Sequence, residues 1–74
     1  MKIKVKLFAT LRKERFDEKY FEIDNGSDIE YLLKKIQLKK EEIAIIFINV
    51  KHADLNTVIS DGDDIALFPP IGGG

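Results

Sequence analysis

A chain of 74 residues with a formal net charge of −1 and no cysteine is one domain at most, with neither a disulfide nor a thiolate metal site to staple it. A domain this short buries only about 60% of the surface its unfolded chain exposes, so a thin but well-patterned core is expected from the 45% of residues that are hydrophobic. The near-neutral charge argues against a nucleic-acid partner held by phosphate neutralisation, and no apolar run approaches the roughly 20 residues that span a membrane. Lys2, Lys4 and Lys6 interrupt the N-terminal apolar residues, so no leader pattern is present and a cytoplasmic protein is expected, although cysteine usage does not decide the compartment.

The first element is Lys2 to Leu7. It alternates strictly, with Ile3, Val5 and Leu7 on one face and the lysines on the other, as a half-buried strand does. Phe8 breaks the pattern by falling on the lysine side. Thr10 to Glu14 reads as a short helical turn. Glu18 to Asp24 reads as a second strand, with Phe21 and Ile23 inward and Glu22 in water. The short connection predicts antiparallel pairing of the two strands.

Asn25-Gly26 is a turn signal. Ser27 to Glu30 fits a capping box, with Ser27 at the N-cap, Glu30 at N3 and Asp28 adding negative charge to the first turn. Ile29, Leu32, Leu33 and Ile36 follow at the spacing of an amphipathic helix, with Lys34, Lys35, Lys39 and Lys40 toward its C-terminal end. Ala44 to Val50 is nearly unbroken apolar sequence, short and β-branched, which predicts a central strand covered on one face and partly on the other. Residues 51 to 59 read as irregular, with a short edge strand near Asp54 to Asn56. Asp61-Gly62-Asp63-Asp64 is a turn. Ile65 to Phe68 closes the pattern as a last strand, with Ile65 and Leu67 inward and Ala66 and Phe68 outward.

A hairpin, a crossover helix and further strands imply an α+β domain with a mixed four- to five-stranded sheet and one main helix on one face. That is the β-grasp, or ubiquitin-like, arrangement. The expected division is a β-grasp domain over residues 1–68 and a C-terminal tail over residues 69–74 that ends in Gly-Gly.

Two stretches resemble a known family. Ile3 to Arg12, with Phe8-Ala9-Thr10-Leu11-Arg12, is similar to the first strand and F-A-x-[LV]-R sequence of the MoaD/ThiS ubiquitin-like family, in particular its MoaD-type sulfur carriers, the small subunits of molybdopterin synthase. Asp61 to Gly74 looks like that family's D-G-D-E-V-A-x-x-P-P-V-x-G-G ending, with Gly72 at the variable position and Gly73-Gly74 as the functional pair. A terminal Gly-Gly alone is a weak signal. D-G-D, a strand and then P-P-x-x-G-G form a strong one. One departure stands out: the family usually has Asn-Gly where this chain has Asn49-Val50. Valine resists positive φ, so the turn after the third strand is expected to differ here.

The tail suits the chemistry that the resemblance implies. Consecutive glycines make the thinnest thread and accept whatever backbone angles a channel imposes. Pro69 and Pro70 stop the strand and favour an extended path away from the body. Pro69 to Gly74 reaches roughly 20 Å when fully extended. Ile71 is the one large side chain beyond the prolines, suited to an apolar slot. By the resemblance, the Gly74 carboxylate is adenylated by an E1-like adenylating enzyme that uses ATP and is then converted to a thiocarboxylate. The large catalytic subunit of the synthase uses two such carriers in turn to build the dithiolene of molybdopterin on a pterin precursor. The chain itself would be a non-catalytic carrier subunit of a sulfurtransferase, with no bound cofactor, and it contains no glycine-rich phosphate loop of its own.

The resemblance makes Gly73 and Gly74 the reacting end, and Phe8, Arg12, Phe68, Pro69, Pro70, Ile71 and Gly72 the partner-binding residues. Phe8 and Phe68 are expected outward on neighbouring strands, where two rings make an apolar docking patch that Ile46 and Ile48 extend if they face outward; the bland reading packs both rings sideways over the core. Arg12 reads equally as a partner contact and as an ordinary solvated arginine. Asp61, Asp63 and Asp64 are read as turn acids rather than a metal site, because three carboxylates are a poor cation cage. The lone His52 is read as a surface residue. Three other functions compete: a carrier for thiamine or tungsten-pterin synthesis, a ubiquitin-like modifier that joins Gly74 to lysines, and an interaction domain that uses only its sheet. Thiamine-type carriers usually lack the Phe-Pro-Pro, a modifier leaves a covalent ladder on denaturing gels, and an interaction domain survives loss of Gly73 and Gly74. Frayed terminal residues are the bland reading of the glycines taken alone, and the Pro-Pro and D-G-D context weighs against it.

Overall fold

The computed structural model describes residues 1–70. Five strands, β1 (Lys2–Leu7), β2 (Glu18–Glu22), β3 (Ile45–Ile48), β4 (Lys51–His52) and β5 (Asp64–Phe68), form one mixed sheet in the order β2-β1-β5-β3-β4. The helix α1 (Ile29–Lys35) crosses one face, and short 3₁₀ turns lie at Ala9–Arg12 and Lys40–Glu42. β1 and β2 pair antiparallel, β1 and β5 run parallel at the centre, and β5 pairs antiparallel with β3. This is the β-grasp arrangement expected from the pattern.

The strict alternation of β1 explains the core. Ile3, Val5 and Leu7 are buried beside Ile65 and Leu67 of β5 and Ile46 of β3. Ile29, Leu32 and Leu33 come down onto them from α1, and Leu11, Ile23, Leu38 and Ile59 fill the ends. Each such aliphatic side chain removed from water stabilises the fold by about 1.5–3 kcal/mol. Ile23 is buried just beyond the end of β2, while Phe21 within it is half-buried.

The helix starts one residue later than the capping-box reading places it. Asp28, not Ser27, is the N-cap, and its Oδ1 accepts from the Tyr31 N–H at 2.9 Å. Ser27 is already committed elsewhere: its N–H donates to the Asp24 carbonyl, its carbonyl accepts from Ile59 and its hydroxyl donates to Asp24. The two remaining free donors of the first turn are satisfied across the fold, Ile29 by the Thr57 carbonyl and Glu30 by that of Leu55. At the other end, Leu38 N–H bonds the Leu33 carbonyl and Gln37 N–H that of Lys34. With Gln37 at φ 62° and Leu38 buried, this is a Schellman termination made with glutamine in place of glycine.

Two expectations about residues 49 to 56 are corrected. The short edge strand is Lys51–His52 rather than Asp54 to Asn56. Asn49 and Val50 form a two-residue hairpin turn, so pairing resumes at once as Ile48 with Lys51 and Phe47 with His52. Asp54 instead closes a turn with Thr57, accepting its N–H and donating to its hydroxyl oxygen. The turn also does not avoid the left-handed region: Asn49 has φ 52° and Val50 φ 69°. Positive φ at both central positions is the mark of a type I′ hairpin, whose twist matches the strands. For a β-branched residue that backbone costs about 1–3 kcal/mol, and the hairpin geometry prevails.

Candidate docking face and tail exit

Strand register decides which residues share the uncovered face of the sheet. Residues directly opposite one another point the same way, so Ala66 sits with Lys6 and Phe47, Phe68 with Ile45, and Phe47 with His52. Phe8 follows β1 and holds that alignment by donating its N–H to the Leu67 carbonyl. Its ring stacks on Phe68, with centroids 4.3 Å apart and planes 9° from parallel. Phe47 meets Phe68 edge-on at 5.8 Å, and the His52 ring lies 4.5 Å from Phe47. The two predicted rings therefore come together outside the core, half-buried and backed by the sheet.

Ile46 and Ile48 do not extend this patch. Ile46 is buried opposite Leu67, and Ile48 sits opposite Ile65, so both face the core. Phe47 takes the outward place. An unbroken apolar run carries no alternation from which to read this parity. The two-residue turn at Asn49-Val50 fixes which residues of β3 and β4 are opposite but not which pair faces the core; the register with β5 decides that.

The surroundings of the rings are held in place by hydrogen bonds. Arg12 donates from Nε to the Leu7 carbonyl at 2.7 Å and lies 3.7 Å from an Asp17 carboxylate oxygen. Its guanidinium carbon stands 5.4 Å from the Phe8 ring centroid, so Arg12 borders the patch as a cation over an aromatic face. On the opposite rim, Lys6 pairs with Asp64 at 3.4 Å. The Asn49 side chain donates to Asp63 Oδ1 at 2.8 Å and accepts from the Asp64 N–H at 2.9 Å, tying the hairpin to the start of β5.

The acids of the turn act on the backbone. Asp61 Oδ1 accepts from the Lys2 N–H and Asp63 Oδ2 from that of Ser60. Gly62 adopts φ 84°, which the tight loop requires. Among the described residues, no group of three or more potential ligands is arranged to hold a metal ion. No helix among them is long and apolar enough to cross a membrane.

Pro69, half-buried, and Pro70, exposed, follow Phe68 directly. The chain thus leaves β5 at the stacked end of the aromatic patch. Ile71, Gly72, Gly73 and Gly74 lie outside the described residues. The arrangement places an aromatic patch beside the strand end that leads into Pro69 and Pro70. Phe47, Asn49 and Val50 belong to that surface and were not singled out for it from sequence; His52 is exposed, yet its ring completes the aromatic row.

Residues 5–74 match the family model described as the ThiS family. The molybdopterin synthase sulfur carrier subunit of Mycobacterium tuberculosis (strain ATCC 25618 / H37Rv) is 31% identical, with 100% of this chain and 99% of the relative covered. A chain in the complex of subunits 1 and 2 of the molybdopterin-converting factor from Helicobacter pylori 26695 is 30% identical, covers 100% of both chains and superposes with a TM-score of 0.69. Small archaeal modifier protein 1 of Haloferax volcanii superposes with a TM-score of 0.76 over 95% of this chain and 98% of its own, but at 22% identity it speaks to the fold alone.

Proposed function

Because the chain belongs to the ThiS family, we propose that it is the sulfur carrier subunit of a molybdopterin synthase, acting through Gly74. The reading draws on the relative from Mycobacterium tuberculosis, which matches over the whole chain. The observation that carries it is the position of Pro69: it directly follows Phe68, whose ring forms the stack with Phe8. A partner that seats the aromatic patch thereby receives the start of the tail at a fixed place.

The carboxylate of Gly74 is a poor acyl donor as it stands. An E1-like adenylating enzyme transfers AMP from ATP onto it, releasing pyrophosphate and creating a good leaving group. A sulfur nucleophile then displaces AMP, leaving a thiocarboxylate. The large subunit accepts the tail and passes the sulfur to a pterin precursor, water adds at the Gly74 carbonyl carbon as the carbon–sulfur bond breaks, and the carrier leaves with its carboxylate restored. This chain binds, presents and withdraws. Its glycines fit a narrow passage, Ile71 anchors the thread, and the partners supply the catalytic groups.

The test is intact mass spectrometry after incubation with an E1-like adenylating enzyme, ATP and a sulfide source. A gain equal to one oxygen replaced by sulfur, mapped to Gly74, is the expected result. No gain with an enzyme active on a related carrier, or a covalent ladder on lysines instead, overturns the reading.

A further inference from the structure

We propose that Val50 is a specificity-determining contact of this chain for the large subunit, pressed into an apolar recess of that partner. The inference rests on the carrier reading above and names a residue that it does not need.

The argument begins with an imbalance. Val50 is 91% exposed, so its side chain gains almost nothing from the fold. Its backbone nevertheless holds φ 69°, a conformation that a β-branched residue disfavours. Glycine or asparagine suits that position better and exposes less apolar surface. Within the folded chain, then, valine is the wrong residue twice over. Strain that persists where it does not help the fold points to a role outside it.

The second observation is how firmly the position is held. Asn49 makes two side-chain hydrogen bonds to Asp63 and Asp64, and its own N–H donates to the Asp64 carbonyl at 2.8 Å. Val50 is therefore presented on a braced two-residue turn. With one side-chain torsion, and that one restricted by branching, it loses little freedom when a partner closes on it.

The third is location. Val50 lines the same shallow concavity as Phe8, Phe47 and Phe68, so a surface that covers the aromatic row reaches it as well. The occupant is assigned from the Helicobacter pylori relative, which matches this chain over its full length and occurs in a complex of subunits 1 and 2. A subunit 2 that covers the patch meets Val50 at its rim and requires an apolar hollow there.

The test compares the unsubstituted chain with Val50→Asn and Val50→Gly by calorimetric titration against the cognate large subunit, alongside thermal melts and titrations against the adenylating enzyme. Both variants are expected to melt higher by about 4–8 °C and to bind the large subunit about tenfold more weakly. A Val50→Asn variant that binds the large subunit as tightly as the parent overturns the inference alone, as does one that weakens only for the adenylating enzyme. Melting points that fail to rise remove its premise of strain. A parent chain that does not bind the large subunit at all overturns the carrier reading and this inference with it.

Discussion

Phe8 and Phe68 lie ring on ring, 4.3 Å between centroids and 9° from parallel, at the ends of two strands that run side by side in the same direction, Phe8 just beyond β1 and Phe68 the last residue of β5. Parallel neighbours carry their ends to the same edge of the sheet. The stack therefore marks the edge from which Pro69 leaves, and a partner that recognises the rings also locates the tail.

That relationship predicts a separation of binding from folding. Phe68→Ala removes the stack and the edge contact with Phe47, both at half-buried positions. The expected stability loss is about 1–2 kcal/mol. Affinity for the large subunit should fall by about 2 kcal/mol or more, roughly 30-fold, as for a central aromatic anchor. Calorimetric titration and a thermal melt of one preparation measure both. Unchanged affinity with a lowered melt would assign the rings to the fold alone.

Asn49 should matter more to the fold than its exposure suggests. Asn49→Ala loses two side-chain hydrogen bonds and leaves alanine at φ 52°. Asn49→Gly loses the same bonds and relieves the backbone. Each exposed bond contributes about 0.5–1 kcal/mol. Alanine should therefore cost about 2 kcal/mol, with glycine recovering about half of it. Urea unfolding of the three chains checks the order. Equal losses for alanine and glycine would mean that the positive φ carries no penalty.

The features legible in the sequence are those that repeat. β1 alternates from Lys2 to Leu7, and burial follows it residue by residue. The stripe Ile29, Leu32 and Leu33 is the buried face of α1, and Ile36 at its end is half-buried. The features that escaped depend on partners distant in the chain. Whether Ile46 or Phe47 faces outward follows from their pairing with β5, about 20 residues on. Ser27 yields the N-cap to Asp28 because its backbone pairs with Ile59. Val50 adopts a backbone that its side chain disfavours because Asn49 is bolted to the start of β5. Local preference was correct about valine in isolation, and the hairpin overruled it.

The two ends of α1 make a matched pair of predictions. Asp28→Ala leaves the Tyr31 N–H without its 2.9 Å acceptor and should cost about 1 kcal/mol. Gln37→Gly keeps both terminating bonds at φ 62° and relieves a residue with a side chain there, so it should gain about 0.5–1 kcal/mol. Amide hydrogen exchange locates the effects: Tyr31 should lose protection in the first variant and Leu38 should keep it in the second. Loss of Leu38 protection in Gln37→Gly would reject the Schellman reading.

The tail prediction isolates chemistry from both folding and docking. Deleting Gly74 draws the carboxylate back by about 3.5 Å, one residue of extended chain. Reacting groups tolerate far less, since a misplacement of about 1 Å can cost about 100-fold in rate. Sulfur loading by the adenylating enzyme and transfer to the large subunit should therefore both disappear. Adding one residue after Gly74 should have the same effect by placing the wrong carboxylate at the end. Neither change alters a residue of the sheet, so the melting curve should shift by no more than about 0.5 kcal/mol, and affinity for the large subunit should stay within the same order of magnitude. Loading is read by intact mass and transfer by product formation. A truncated chain that still yields product would show that the reacting carboxylate is not the terminal one, and would leave the aromatic patch as a docking surface without the tail chemistry.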